Sequence, residues 1–508
     1  MVDRLDLASQ LASALPKDLG LTVYHISTLS NPSLALFAPL PHQQEEETTC
    51  QSHFLAVSTP RSDEAKEVLV FAVEVLIFAS PSLTTLFVSK ADSTGFSSRL
   101  GVTKGSPSPI ATVISTFLHY LVKPRLNGTR VVLSLFARAQ NQYLFPGSSE
   151  NAGKHILNDR QLIKWWGRVL DKVLRRRAEM PSSGPNSTVH LIVPGCEKTE
   201  TRSFFPPLAR LDPPTDPRWI DSYPVDLLVA DTKQPIRSLI PRFPDDPKAR
   251  FLEDLDGTGM DEQGNWRSVT TLHQFWEMMS YRQECSAGRL VGFFWMVFPP
   301  SQREGTSLAG IDARMPLPQT RNLDRAKVHG FSNAVIQIDP EPYTSVSNTS
   351  DLAKSSTPTE LSQNGPTEPH GLEYEVVGDR PRKDESTAKG ELVLDGGQYQ
   401  TLMDYLLQTD FAGSELAEEH TCGWISKALE ISGAPRFGQT IHGEMALNAS
   451  SHISAPNNHV TPAVNMLTGL RKKRKAEQVS EISEGEKEVS QSMAKTLATG
   501  LVRKKPKN

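Results

Sequence analysis

Residues 243–251 place two adjacent carboxylates beside a lysine and an arginine. The run reads Phe-Pro-Asp-Asp-Pro-Lys-Ala-Arg-Phe, so Asp245 and Asp246 directly precede Pro247. Carboxylates can accept protons as general bases in catalysis. The same residues also suit a helix start, with Asp246 as the N-cap and proline at the first helical position, which is the commoner meaning of such a pattern. Because a helix N-terminus stabilises the ionised form, an aspartate there is a weak base.

A second candidate lies in residues 88–100, where a predicted strand runs into a loop of small residues that contains Asp92 and Arg99. Small side chains let a ligand approach backbone N–H groups, and an arginine can hold a phosphate. An ordinary turn with a solvated arginine explains the same residues and is the commoner case. Both interpretations stay open at this point.

The third candidate, residues 136–158, leads into a predicted helix that carries Trp165 and Trp166. Adjacent residues of a helix diverge by about 100°, so the two indoles cannot share one contact. We expect one indole to lie in the core and the other to border a cleft.

Several familiar catalytic motifs are absent from the sequence. Residues 147–154 lack P-loop spacing, and His155 stands where a serine or threonine is required. Hydrolase, metalloprotease and dinucleotide-binding motifs are also missing. His420 and Cys422 have no further ligands nearby, so we predict no metal site. The four cysteines lie far apart, which favours free thiols in a reducing compartment.

The composition gives no global electrostatic bias, since 22 % of the 508 residues are charged and the formal net charge is -4. Neither a nucleic acid nor a membrane partner is therefore indicated by charge alone. The longest apolar run, residues 68–78, is interrupted by Glu74 and is too short to span a bilayer. We find no signal-peptide pattern and expect a cytosolic or nuclear protein.

The alternation of apolar runs with helical periodicity predicts an α/β fold with a central mixed sheet that helices cover on both faces. Helices are predicted after the cap pair 158–159, near residues 270–284 and from Ser108-Pro109 onward. The predicted strands are residues 68–78, 86–90, 131–137, 189–193, 225–229 and 291–298.

Composition divides the chain into four predicted parts. Residues 1–336 form the folded domain, and residues 337–396 form a disordered insert rich in Ser, Thr and Pro. Residues 397–432 regain helical spacing and are expected to pack on the core. Residues 433–508 are predicted to be a disordered tail, whose basic run 471–475 is typical of a nuclear import signal or a nucleic-acid contact. A merely solvated lysine-rich tail is the alternative.

Together, the three candidate segments closely resemble the fungal histone acetyltransferase family called regulator of Ty1 transposition, which is related in fold to CBP-type acetyltransferases. The most specific stretches are residues 142–146, 154–158, 164–167 and 243–251. The resemblance extends from the N-terminal strands through about residue 300, and residues 466–475 are similar to the family's basic C-terminus. It implies that residues 1–336 are a catalytic acetyltransferase domain.

The resemblance also implies roles for individual residues. Asp246 matches the residue assigned the acid/base role, and Asp245, Tyr143 and Trp166 match residues around the substrate-lysine channel. Lys248 matches a lysine that becomes autoacetylated, with Arg250 in support. The residues matched to acetyl-CoA contacts are Ala91, Asp92, Ser93, Arg99, Leu100, Gly101, Val102, Thr103, Phe136, His155, Ile156, Leu157 and Trp165, with Gln140 replacing a small coenzyme-contacting residue.

The implied activity is acetyl transfer from acetyl-CoA to lysines of newly synthesised histone H3, in complex with H4 and bound to chaperones of the anti-silencing and nucleosome-assembly types. The implied location is the nucleus, where such an enzyme supports chromatin assembly, DNA replication, transcription regulation and DNA damage repair. Neither a metal nor a membrane is implied. A non-enzymatic chromatin or DNA-binding protein that uses its basic tail is the alternative hypothesis.

Overall fold

The computed structural model describes residues 6–60, 66–101, 108–126, 129–178, 187–282, 289–300 and 388–446. The strands are β1 Gly20–Thr28, β2 Asn31–Ser33, β3 Thr48–Ser58, β4 Leu69–Ala79, β5 Leu83–Ser93, β6 Arg130–Arg138, β7 Thr188–Ile192, β8 Trp219–Ile220, β9 Val291–Phe298, β10 Leu392–Leu394 and β11 Gln439–His442. The α-helices are α1 Leu7–Ala14, α2 Pro109–Val122, α3 Asp159–Ala178, α4 Lys198–Arg202, α5 Val225–Leu228, α6 Pro247–Gly257, α7 Leu272–Met279, α8 Gly396–Leu407 and α9 Ser414–Ser432.

The strands form one mixed sheet in the order β10-β1-β3-β4-β5-β6-β9-β7-β8. Strand β11 adds to β1, and β2 adds to β3. Strands β5 and β6 are parallel, whereas β4 and β9 lie antiparallel on either side of that pair. The carboxyl ends of β5 and β6 therefore meet at one edge of the sheet, which is where ligands commonly bind in α/β proteins.

Helices cover both faces of the sheet, as the unbroken apolar strands predict. On one face, apolar residues of α1, α2 and α3 pack against β4, β5 and β6. On the other face, α8 and α9 pack against β1, β3 and β4, while α6 and α7 pack against β6 and β9. Every residue of β9 is buried, because it has packed helices on both sides.

Local capping signals set the starts of the helices that position the site. Ser108 caps α2 with Pro109 at its first turn, and Asp246 caps α6 with Pro247 following. Asp395 and Gln398 form a reciprocal capping box at the start of α8. Three predicted helices are thereby confirmed as α2, α3 and α7, and the helical spacing after residue 396 corresponds to α8.

One predicted strand, residues 225–229, is wrong, because Val225–Leu228 forms the short helix α5. Pro224 directly before it favours a helical first turn, and a short apolar run does not distinguish a strand from a buried turn of helix. The sheet position next to β7 is occupied by β8 instead. Strands β1 and β3 are not among the predicted strands, because His25, Ser27 and His53 interrupt their apolar character.

Two predicted boundaries also differ from the structure. The end of the predicted insert, residues 388–396, contains Leu392–Leu394, which forms β10 and pairs with β1. The start of the predicted tail, residues 433–446, contains Gln439–His442, which forms β11 on the same strand. The remaining residues of the predicted insert and tail, including the basic run 471–475, lie outside the described residues. In the described part of the chain, no helix is long and apolar enough to cross a membrane.

Candidate active site

A cavity of about 490 Å³ opens at the carboxyl ends of β5 and β6, next to the first turns of α3. It brings together residues from two of the candidate segments and from the tryptophan-bearing helix. The predicted residues that line it are Ala91, Asp92, Ser93, Phe136, Gln140, Tyr143, His155, Ile156, Leu157, Trp165 and Trp166.

As expected, one indole, that of Trp166, belongs to the buried core and the other, that of Trp165, borders a cleft; in addition, the Trp166 ring also lines this cavity. The two ring centroids are 5.0 Å apart with an interplanar angle of 80°. Trp166 is only 5 % exposed, whereas Trp165 is half-buried. Because the cavity extends under the first turns of α3, two side chains that diverge around the helix can still contact it.

Asp92 organises the loop that carries Tyr143. Its Oδ2 accepts backbone hydrogen bonds from Tyr143 at 2.7 Å, Leu144 at 3.0 Å and Phe145 at 3.3 Å. Its Oδ1 accepts from Lys154 Nζ at 2.8 Å, and both side chains of this ion pair are at most 6 % exposed. The carboxylate is thus fully occupied by protein donors and fixes the shape of the cavity wall.

Tyr143 presents its ring to the cavity and its hydroxyl to the protein. The hydroxyl donates to the backbone carbonyl of Arg138 at 2.7 Å. Burial raises the pKa of the Tyr143 hydroxyl, although Arg138 opposes the rise. The group therefore remains protonated at neutral pH and can hold the loop against the end of β6.

Arg99 does not point into the cavity as a phosphate ligand would. Its guanidinium pairs with Glu418 at 3.0 Å and also bonds Ser414, both on α9. Leu100 is buried and Gly101 is exposed, and neither lines the cavity. Val102 and Thr103 lie outside the described residues. Among the described residues of the small-residue loop, those that line the cavity lie between Ala91 and Ser97.

The catalytic candidates of the remaining segment, residues 243–251, lie at the start of α6. Asp246 caps the helix by accepting from the backbone N–H of Lys248 at 2.9 Å and pairs with the ammonium of the same residue. Asp246 and Lys248 are 3 % and 2 % exposed. The ammonium also lies over the rings of Phe243 and Phe293, at 5.4 Å and 5.0 Å. Burial lowers the pKa of Lys248, although Asp246 opposes that shift.

Asp245 is the accessible member of the carboxylate pair. Its side chain is 72 % exposed, and its Oδ2 lies 3.5 Å from Nζ of Lys90, which lines the cavity. Its backbone is in the left-handed region, with φ 56°. Phe243 anchors this segment by stacking on Phe87 of β5, with ring centroids 4.3 Å apart.

Arg250 lines a second, open groove of about 890 Å³ that shares Arg138, Gln140 and Leu157 with the cavity. Sequence reasoning missed Lys90, Arg138 and Lys154 as lining residues. The missed signal for Lys90 was Glu74, the one charge inside the longest apolar run, because a buried carboxylate requires a partner. In the described ranges, no group of three or more His, Cys, Asp and Glu side chains could hold a metal ion.

Comparison with known families identifies the family of the chain. The model of the histone acetyltransferase KAT11-type domain matches residues 7–129 and 122–427. The chain belongs to this histone acetyltransferase family. The match covers the whole cavity, the start of α6, helix α8 and most of α9.

Individual relatives of this acetyltransferase agree with the family match. It is 39 % identical to histone acetyltransferase rtt109 of Aspergillus flavus, over 94 % of this chain and 90 % of that protein. It is 35 % identical to histone acetyltransferase rtt109 of Schizosaccharomyces pombe, over 54 % of this chain and 66 % of that protein. The crystal structure of Rtt109 from Aspergillus fumigatus matches with a TM-score of 0.67 at 37 % identity, covering 87 % of this chain and 100 % of that one.

These matches confirm the histone acetyltransferase activity and the fold that the resemblance implied. The enzyme is an acyltransferase, and its activity requires acetyl-CoA as co-substrate and a histone lysine as acceptor. The non-enzymatic alternative is therefore not supported.

Proposed function

We propose that this acetyltransferase acetylates lysines of histone H3, presented with H4 by chaperones of the anti-silencing and nucleosome-assembly types, in the nucleus. One observation carries the proposal: nine of the residues matched to the coenzyme site line the same cavity as Tyr143 and Trp166, two of the residues matched to the lysine channel. Segments distant in sequence, around residues 91, 136, 155 and 165, converge there. Such convergence is expected of a binding site and is not needed for core packing alone.

The chemistry of the cavity suits acetyl-CoA. Its walls are largely apolar, with Leu135, Phe136, Ile156 and Leu157 offering contacts for a flexible pantetheine arm. At Ala91 and Ser93 the short side chains let a ligand approach the strand end closely.

We assign the lysine-binding role to Trp166 and Tyr143. A substrate lysine has a four-carbon stem that packs well against aromatic rings, and its cation is attracted to their faces. Tyr143 is fixed by Asp92 and by the carbonyl of Arg138, and Trp166 is fixed by burial. A channel built on such fixed side chains would hold the ε-amine in one orientation.

Acetyl transfer then requires a neutral amine, because a free lysine has a pKa of about 10.4. The amine nitrogen attacks the thioester carbonyl carbon, the C–N bond forms as the C–S bond breaks, and the thiolate leaves with coenzyme A. We assign the acceptance of the amine proton, through water, to Asp245, because its carboxylate is exposed beside Lys90. Asp246 is buried against Lys248, which supports an orienting role for that residue.

We also propose that Lys248 becomes acetylated by the enzyme itself, with Arg250 in support. Burial lowers the pKa of Lys248, which increases the fraction of nucleophilic neutral amine. Acetylation would remove a positive charge next to Asp246 and so change the electrostatics at the start of α6. A mass increase of one acetyl group on the peptide that contains Lys248 is the expected observation.

Transfer of radiolabelled acetyl to H3–H4, with and without each chaperone, tests the proposal. We expect Trp166→Phe and Asp245→Asn each to lower transfer at least tenfold, on the order of a lost general base or positioning contact. Trp424→Phe is the matched control, because Trp424 is equally buried but lies outside the cavity. Equal transfer by Trp166→Phe and Trp424→Phe would contradict the residue assignment. If the wild-type enzyme labels the other pair of core histones but not H3, the proposal that H3 is the substrate is overturned.

A further inference from the structure

Glu74 is a buried carboxylate in the middle of strand β4. It is only 6 % exposed, and the strand on both sides of it is apolar. The register between β4 and β5 shifts at this point, so that Glu74 pairs with Lys90 and Val75 pairs with Val88. Ser89 is therefore the extra residue of a bulge. A bulge at this position redirects the side chains at the end of β5.

Three side chains satisfy this carboxylate. The hydroxyl of Tyr399, on α8, donates to Oε1 at 2.6 Å, and the ammonium of Lys90 lies 3.1 Å from Oε2. The Ser89 hydroxyl also donates to Oε2. Although burial opposes ionisation, these partners, Lys90 first among them, hold the pKa of Glu74 below its usual value. The group is a fixed anion inside the sheet.

Lys90 extends the contact to the site. Its ammonium lies between Glu74, at 3.1 Å, and Asp245, at 3.5 Å, and its side chain lines the cavity. Burial alone would lower the pKa of Lys90, but Glu74 and Asp245 raise it above the ordinary value. A continuous series of contacts thus runs from α8, through Tyr399, Glu74 and Lys90, to the accessible carboxylate.

We propose that Tyr399 and Glu74 are positioning residues for acetyl transfer, which hold Lys90 against Asp245 and so make the rate of transfer depend on helix α8. The inference rests on the role proposed above for Asp245. Helix α8 thereby gains a role in catalysis, although Tyr399 is 325 residues from Glu74 in the sequence. The helix packs on the face of the sheet opposite to α3.

The backbone at Asp245 shows why such support matters. Its φ of 56° lies in the left-handed region, which few residues other than glycine adopt. A strained residue keeps its conformation only where its surroundings enforce it. Phe243 holds the segment on one side of Asp245 and the capped start of α6 holds it on the other. The pairing of its carboxylate with Lys90 is the remaining constraint on the side chain.

A second contact between the α8–α9 region and the cavity supports the same inference. The backbone N–H of Phe411, between α8 and α9, donates to the carbonyl of Pro146 at 2.8 Å. The rings of Phe411 and Phe145 lie 4.9 Å apart. Pro146 and Phe145 end the loop that carries Tyr143. Helices α8 and α9 and the residues between them therefore contact two segments next to the cavity, strand β4 at Glu74 and the loop that carries Tyr143.

The test measures kcat and KM for acetyl-CoA and H3–H4 with the full chain and its single variants. Tyr399→Phe removes one hydroxyl, and we expect kcat to fall about tenfold, as for a lost hydrogen bond to a charged group. KM for acetyl-CoA should stay within about twofold, because Tyr399 does not line the cavity. Lys90→Met should lower kcat further, and Lys90→Arg, which keeps the cation, should restore most of it.

Tyr24→Phe is the matched control, because Tyr24 is buried in the same apolar cluster and also donates to a glutamate, Glu67. It should lose stability but keep the wild-type kcat. The double variant Tyr399→Phe with Lys90→Met should be no slower than Lys90→Met alone, since the tyrosine acts through the lysine. The inference would be overturned if the loss of kcat in the double variant equalled the product of the losses in the two single variants. Equal kcat in Tyr399→Phe and Tyr24→Phe would overturn it as well. An inactive wild-type enzyme would instead contradict the proposed function.

Discussion

Lys248 is the residue whose environment is least like that of an ordinary lysine. Its ammonium is enclosed by Asp246 and by two phenylalanine rings. Two buried charges of opposite sign are tolerated together, but removing one leaves the other without compensation. The pair therefore contributes little to the free energy of unfolding, whereas removing one of its two charges would lower that free energy strongly.

Replacing Lys248 by methionine should lower the free energy of unfolding by about 3–5 kcal/mol, as for other broken buried pairs. Urea denaturation at pH 7 measures the change. Lys427→Met is the control, because Lys427 pairs with Glu430 on the solvent-exposed side of α9 and should cost less than about 1 kcal/mol. Similar losses in the two variants would show that Lys248 is not a buried charge.

Asp245 and Asp246 show that residue type alone does not predict the exposure of a side chain. Both are aspartates at the start of one helix, yet one is 72 % exposed at its side chain and the other is 3 % exposed overall. The sequence pattern correctly indicated a cap at Asp246. It did not indicate the left-handed backbone at Asp245, because the packing of Phe243 on the distant strand β5, which helps to hold this segment, is not a local signal.

Among the elements, the turn after β5 packs closely against the loop at 151–154. Gly95 has φ 96°, and a Cβ at this position would lie 2.7 Å from the backbone nitrogen of Lys154 and 2.9 Å from the Asn151 side chain. The turn and the loop at 151–154 both line the cavity and touch each other through this glycine. No side chain fits between them without displacing backbone.

Gly95→Ala should therefore raise KM for acetyl-CoA several-fold as well as lower stability. Gly259→Ala is the control for the cost of the backbone conformation alone, because Gly259 has φ 93° with open space around it. This variant should lower the free energy of unfolding by only about 1–2 kcal/mol and leave KM unchanged. Steady-state kinetics together with urea denaturation separates the two effects. An unaltered KM in Gly95→Ala would show that the two loops can move apart without consequence for the coenzyme site.

Elements with a strong local signal could be predicted, and elements defined by distant partners could not. The caps at Ser108 and Asp246 and the apolar run of β9 predicted α2, α6 and β9 because each signal lies within the element itself. Strands β1 and β3 have buried histidines and serines that resemble loop residues. The contact of Tyr399 with Glu74 spans the sheet, so no local pattern encodes it.

At the scale of the whole molecule, buried histidines make stability depend on pH. Burial lowers the pKa of His25 to about 3 and those of His119 and His190 to about 4. Each is neutral in the folded state, whereas the unfolded chain binds a proton below about pH 6.5. Since the unfolded state then holds more protons, stability is full above pH 6.5 and falls as the pH decreases toward 4.

Replacing His119 by leucine should remove one such contribution. Neither ring nitrogen of His119 has a hydrogen-bond partner among the described residues, so leucine loses no bond there. The loss of stability between pH 7 and pH 5 should shrink by roughly 2 kcal/mol relative to the wild type. Urea midpoints at the two pH values measure it. His273→Leu is the control, because the His273 side chain is 90 % exposed, and it should leave the loss of stability between pH 7 and pH 5 unchanged. An unchanged loss in His119→Leu as well would contradict the prediction and show that His119 is protonated in the folded state.

Strand β1 lies between β3 and β10, and it also pairs with β11, whose His442 lies opposite Gly20. A ribosome adds about 5–20 residues per second, so this strand leaves the exit tunnel on the order of tens of seconds before its last neighbours do. Throughout that interval its backbone amides and carbonyls offer an open edge to any passing extended chain. A chain that ends before Leu392 keeps this edge open permanently, so it should aggregate more readily than the full chain.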